Sequence, residues 1–164
     1  MIEQFIQQYG KRLYGLCRTL CANPFDADDL YQETWLKAVK NFEKYDHSKE
    51  FEPWLTRICV NTYRNDLRSK SRSPLLQFKR NEDKEALLQS IPSPEKTDYT
   101  QLYIAINNLP DKFRLTVILF YFCGMDTAST AAALRVPSGT VKSRLNKARR
   151  LLKEALDDET DLRF

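Results

Sequence analysis

The sequence predicts an all-α protein made of two small helical domains joined by a flexible linker. Three observations predict it. Apolar residues recur at intervals of three and four over most of the chain, and no segment of useful length alternates with a strand period. The stretch 73–98, with Pro74, Pro92, Pro94 and mixed charges, has little periodicity and separates two helical regions. Near the C-terminus a short Ala-rich helix, a tight turn and a basic helix follow one another in the order of a helix-turn-helix. The expected domains are therefore 1–72 and 99–164, with 73–98 as the linker.

In the first domain, Ile2, Phe5, Ile6, Tyr9, Leu13, Leu16 and Leu20 make one face of a long amphipathic helix that ends before Asn23-Pro24. Asp26 suits the N-cap of a second helix, with Asp28 and Asp29 in its first turn, where the helix dipole favours carboxylates. That helix runs to about Asn41. Tyr31, Thr34, Trp35, Ala38 and Phe42 form its inner face, and Asp29, Gln32, Glu33, Leu36 and Lys40 its outer side. Leu36 is apolar on a polar side, which marks either a docking surface or a single stray leucine. Residues 43–50 read as a polar loop. Pro53 fits the first turn of a third helix, whose inner face is Trp54, Leu55, Ile58, Cys59 and Thr62. From Asn61 to Asp66 polar residues crowd the pattern and a loop is expected, followed by the basic run from Leu67 to Arg72. In the linker, Leu87 and Leu88 suit one helical turn.

The second domain begins near Tyr99. Leu102, Ala105, Ile106 and Leu109 make a helix face stopped by Pro110. Phe113, Val117, Ile118, Phe120 and Tyr121 make the next, ended by Gly124. Asp126 to Leu134 is the Ala-rich helix and Arg135-Val136-Pro137 the turn. After Pro137-Ser138-Gly139 an unbroken helical pattern follows, with Val141, Leu145, Ala148 and Leu152 on its apolar face. The acidic tail 157–164 reads as a fraying end.

Composition narrows the function. The chain has 164 residues, 42% of them hydrophobic and 12% aromatic, so true cores can form. Its net charge is only +4, but the basic residues cluster between Arg57 and Arg72 and between Arg135 and Lys153. Two clusters point to two nucleic-acid contact sites rather than a general polyanion binder. The second carries Arg135, Lys142, Arg144, Lys147, Arg149, Arg150 and Lys153 with no carboxylate among them. Ser143, Asn146, Lys147 and Arg150 oppose its apolar face, with Lys142, Arg149 and Lys153 on one flank. Short polar and long basic side chains suit a helix in a DNA major groove, the bland alternative being a solvated basic face. No apolar run approaches membrane-spanning length, and Met1-Ile2-Glu3-Gln4 does not begin a signal peptide, so a cytoplasmic protein without membrane insertion is expected. Cys17, Cys21, Cys59 and Cys123 read as reduced, mostly buried thiols. The one histidine, His47, is remote from them, so no metal, cofactor or catalytic residue is expected.

Four stretches in order resemble the extracytoplasmic-function group of bacterial sigma factors. DADDLYQETWLKA (26–38) resembles the family's second conserved region, and FEPWLTRICVNTYRNDLR (51–68) its promoter-melting region. LPDKFRLTVILFYFCGM (109–125) and VPSGTVKSRLNKARRLLKE (136–154) resemble its fourth region. The resemblance implies a subunit that binds core RNA polymerase, recognises the minus-ten and minus-thirty-five promoter elements and helps melt DNA. It implies docking through Asp29, Gln32, Glu33 and Leu36 on a coiled coil of the polymerase largest subunit. Asn61, Thr62, Arg64, Asn65 and Arg68 would act at the minus-ten element, around a flipped base. Lys142, Ser143, Asn146, Lys147 and Arg150 would meet the minus-thirty-five element. It further implies control by an anti-sigma factor, often anchored in the membrane.

Three positions depart from the family pattern: Thr130 stands for a buried aliphatic residue, Arg135 for the glycine of the turn, and Phe120 for a phosphate-contacting arginine. They bear on the strength of minus-thirty-five binding. The alternative function is an autonomous helix-turn-helix regulator, which leaves 26–38 and 61–66 unexplained. An enzyme acting on nucleic acid is disfavoured, because the carboxylates show no paired or metal-binding spacing and no phosphate loop is present.

Overall fold

The computed structural model describes residues 1–71 and 100–161; the expected linker, with Leu87 and Leu88, lies outside the described residues. Every regular element among those described is helical. They are α1 (Ile2–Leu20), α2 (Pro24–Lys40), a 3₁₀ turn (Phe42–Lys44), α3 (Phe51–Ser71), α4 (Thr100–Asn107), α5 (Asp111–Val117) continued by a π-helical turn (Ile118–Phe122), α6 (Thr127–Leu134) and α7 (Ser138–Asp161). The chain divides into two compact units, one centred on α1–α3 and the other on α4–α7.

In the first unit α1, α2 and α3 pack against one another. Leu13, Leu16, Cys17 and Leu20 are the buried face of α1. The start of α2 differs from expectation. Proline has no N–H and a fixed φ, so Pro24 takes the first helical position and Asn23 becomes the cap. Asn23 Oδ1 accepts from the Asp26 backbone N–H at 2.9 Å, and Asn23 Nδ2 donates to Asp26 Oδ2 at 2.9 Å. Asp26 is thus inside the first turn and not its cap, and Asp28 and Asp29 fall beyond that turn. Ala27, Leu30, Thr34, Trp35 and Ala38 are buried, while Tyr31 and Phe42 are half-buried.

The expected polar loop at 43–50 hides an anchor. Tyr45 is buried, its ring set among Phe42, Phe51 and Trp54, and its hydroxyl donates to the Lys49 carbonyl. The expected loop at Asn61–Asp66 does not form: α3 runs through it. No glycine or proline interrupts the chain from Trp54 to Ser71, and Thr62 turns inward to serve the helix. Its hydroxyl donates to the Ile58 carbonyl at 2.8 Å and accepts from Lys37 Nζ at 3.2 Å. Phe51, Leu55, Thr56, Cys59, Val60 and Thr62 are buried, whereas Trp54 and Ile58 are only half-buried. None of the four cysteines is in a disulfide, and Cys21 and Cys123 are only half-buried. The Cys17 and Cys59 sulfurs lie 3.9 Å apart. Their hydrogen bond, then burial, pushes the Cys17 thiol pKa up, so it stays protonated and packs as an apolar group.

The second unit has a core of Ile106, Leu109, Val117 and Ala148, with Leu102, Phe113, Leu151 and Leu152 packed on it. Here the helical period slips. The π-helical turn, closed by the Cys123 N–H on the Ile118 carbonyl at 3.0 Å, spends an extra residue. Leu115 and Leu119 join Val117 and Ile118 inside, and Tyr121, expected on the inner face, is 52% exposed. Gly124 ends the segment at φ +65, a conformation glycine adopts freely. Asp126 caps α6: its Oδ1 accepts from the Ser129 N–H at 2.7 Å, and that bond holds its carboxyl below the usual carboxylate range. Helix α7 begins earlier than expected, with Gly139 inside its first turn, and reaches Asp161 in the acidic stretch read as fraying.

Candidate nucleic-acid and partner interfaces

The buried side of α7 is set by Val141, Leu145 and Ala148, which are all but inaccessible; Leu152 is half-buried. Val141 and Leu145 pack with Ala131 of α6 and the half-buried Phe120 and Val136. Fixing that seam fixes the opposite side. Ser143, Asn146, Lys147 and Arg150, at i, i+3, i+4 and i+7, form one exposed stripe, and Lys142, Arg149 and Lys153 are exposed beside it. The Ser143 hydroxyl donates to the Thr140 carbonyl at 3.0 Å, leaving its oxygen as an acceptor. Asn146 and Arg149 are joined: Arg149 Nη1 donates to Asn146 Oδ1 at 3.1 Å and Nε donates to the Tyr121 hydroxyl at 2.8 Å. This link was missed from sequence; the only trace of it there is the aromatic run Phe120-Tyr121-Phe122.

On α3, Asn61, Arg64, Asn65 and Arg68 share one stripe at i, i+3, i+4 and i+7. Asn61, Asn65 and Arg68 are exposed and Arg64 half-exposed. The expected contact residue Thr62 is not on this surface. It is 1% exposed with its hydroxyl engaged on both sides, so it supports the helix and offers nothing to a base.

On α2, Asp29, Gln32 and Leu36 are exposed, Leu36 at 71%, and Glu33 is half-exposed and paired with Lys37 at 3.0 Å. Phe25 and Val39, which sequence reading passed over, are 80% and 51% exposed. Phe25, Asp29, Gln32, Leu36 and Val39 follow one another at intervals of four, three, four and three. That is the spacing of a seam that packs along another helix. Tyr14 on α1 donates to Asp28 Oδ1 at 2.8 Å, which orients the flank of this face.

Residues 5–73 match the family described as Sigma-70 region 2, and residues 99–152 the family described as Sigma-70, region 4. The ECF RNA polymerase sigma factor SigE of Mycolicibacterium smegmatis is 30% identical over 159 residues, covering 94% of this chain, which spans 61% of that protein. The RNA polymerase sigma factor NccH of Alcaligenes xylosoxydans xylosoxydans is 33% identical over 152 residues, 89% of this chain and 81% of that protein. The chain belongs to the extracytoplasmic-function group of RNA polymerase sigma factors.

Two solved structures share the fold of this sigma factor. RpoE of Bartonella quintana, solved with the anti-sigma factor NepR, is 23% identical with a TM-score of 0.72, over 95% of this chain and 96% of that one. CnrH, solved with the cytosolic domain of CnrY, is 23% identical with a TM-score of 0.68, over 95% and 87%. The region 2 match holds α1–α3, and the region 4 match holds α4–α6 and the basic part of α7. Among the described residues of the sigma factor, no helix is long and apolar enough to cross a membrane.

Proposed function

We propose that this sigma factor works by binding alone, with residues 1–72 docking on core RNA polymerase and opening the minus-ten element, and 99–164 binding the minus-thirty-five element. The observation that carries the reading is the exposed stripe Ser143-Asn146-Lys147-Arg150, backed by a buried seam in a helix-turn-helix. Lys142, Lys147 and Arg150 neutralise phosphates, and Asn146 and Ser143 face base edges. On α3, Asn61 and Asn65 bind an extruded base of the non-template strand while Arg64 and Arg68 hold its backbone. Extrusion costs a few kcal/mol, and amide hydrogen bonds and stacking offset it. The seam of α2 docks along a helical coiled coil of the polymerase largest subunit.

An anti-sigma factor is the proposed inhibitor, supported by the neighbour RpoE, which was solved with one. It would hold the chain in the cytoplasm, in some settings at the membrane surface. The test is Asn61→Ala in reconstituted holoenzyme. Polymerase binding stays, and permanganate reactivity of melted thymines falls. Unchanged thymine reactivity would remove Asn61 from the melting step.

A further inference from the structure

We propose that Tyr121 and Arg149 form a positioning pair that locks the side-chain amide of Asn146, so that α7 reads a hydrogen-bond acceptor edge, best supplied by guanine, in the major groove. The inference rests on the reading of α7 as the helix facing the minus-thirty-five element.

The π-helical turn at Ile118–Phe122 carries Tyr121 to the surface beside α7. Its hydroxyl oxygen accepts from Arg149 Nε at 2.8 Å, and the Arg149 guanidinium lies 5.7 Å from the Tyr121 ring centre. Two contacts thus hold one guanidinium, a hydrogen bond and an attraction to the ring face. The held guanidinium donates from Nη1 to Asn146 Oδ1 at 3.1 Å. Arginine has five donors and no acceptor, so only one orientation of the amide satisfies this contact: oxygen toward Arg149, nitrogen away. Asn146 then presents the two N–H bonds of Nδ2 as its free polar groups. The donors of Arg149 not spent on Tyr121 and Asn146 remain for a phosphate.

The consequence is a base preference. In the major groove guanine shows two acceptors, N7 and O6, while cytosine shows only the N4 donor; adenine and thymine show one acceptor each. Donors meeting donors repel, so cytosine is the worst match. An unheld asparagine can turn either its oxygen or its nitrogen outward and discriminates less. Tyr121 therefore sharpens selectivity without touching DNA.

The test uses the full chain with core polymerase on promoter DNA randomised over the minus-thirty-five element, with bound DNA counted by sequencing. The wild type should favour guanine over cytosine at one position by roughly tenfold. Asn146→Ala should abolish that preference. Tyr121→Phe should cut it to a third or less at the same position and nowhere else, and the double variant should be no worse than Asn146→Ala. Arg149→Lys, which keeps the charge for phosphate, should give the same local loss, a second readout should Tyr121→Phe fold poorly. Asn146→Asp should shift the preference toward cytosine, because Arg149 holds one carboxylate oxygen and the other accepts from N4. If Asn146→Ala is selective but Tyr121→Phe and Arg149→Lys leave base preference unchanged, or weaken all sequences equally, the positioning role is wrong. If Asn146→Ala itself alters no position, base reading by α7 through Asn146 falls, and this proposal with it.

Discussion

Arg135 occupies the turn of the helix-turn-helix at φ +56, in the left-handed region where a Cβ crowds the following carbonyl. Sequence comparison within the family pattern marks it as standing for glycine, and the structure shows the reason glycine suits the site. Arg135→Gly should stabilise the helix-turn-helix by about 1 kcal/mol, read as slower amide hydrogen exchange in α6 and α7. Thr130 is a second residue-scale cost. Thr34, Thr62 and Thr116 are equally buried and donate their hydroxyls to carbonyls four residues back, at 2.7, 2.8 and 2.7 Å. The Thr130 hydroxyl is buried without a partner. Thr130→Val keeps the shape and removes the unpaired group, so it should stabilise by about 1–2 kcal/mol in thermal or urea unfolding. Both positions were legible in the sequence as departures. The Tyr121–Arg149 contact was not, because it joins two helices 28 residues apart through a π-helical turn that no periodicity announces.

Helix α6 is short, and its first turn depends on Asp126. The Asp126 carboxyl titrates below its ordinary value because the charged form accepts from the Ser129 N–H. A depressed carboxyl pKa contributes stability above the unfolded value, about 3.9, and loses it as pH falls through the lower folded value. Asp126→Ala should therefore lower the melting temperature at neutral pH, and the gap from wild type should close as pH falls through the lowered folded value.

Helix α2 makes the other element-scale prediction. Leu36→Glu places a charge in the middle of the exposed seam without disturbing the buried face. Polymerase binding should weaken at least tenfold with the circular dichroism unchanged, whereas equal binding would show that the seam is not the docking face. That α1, α2 and α7 are amphipathic helices was legible in their repeating apolar faces. Errors fell where a local preference had a competitor: Pro24 displaced the expected cap, and an inward Thr62 carried α3 through a polar stretch read as a loop.

Two units, each with its own core, carry the exposed stripes of α3 and α7 that are proposed to meet DNA. The order of helices and the helix-turn-helix could be read from sequence because each core has a repeating apolar face. The exposed partners Phe25 and Val39 could not, since composition does not say which apolar residues stay in water. Two neighbours on the α7 stripe should respond differently to salt. Lys147→Ala should weaken holoenzyme binding on all promoters and flatten the log–log salt dependence by about 0.9. Asn146→Ala should act only on particular minus-thirty-five sequences.

Promoter selection by this chain is read out by adding the full chain to core RNA polymerase and a promoter library and mapping transcript 5′ ends. New starts should appear that share two spaced upstream elements and that vanish without the chain. No new starts, together with nanomolar binding of the free chain to a palindromic duplex, would contradict this role and favour an autonomous helix-turn-helix regulator.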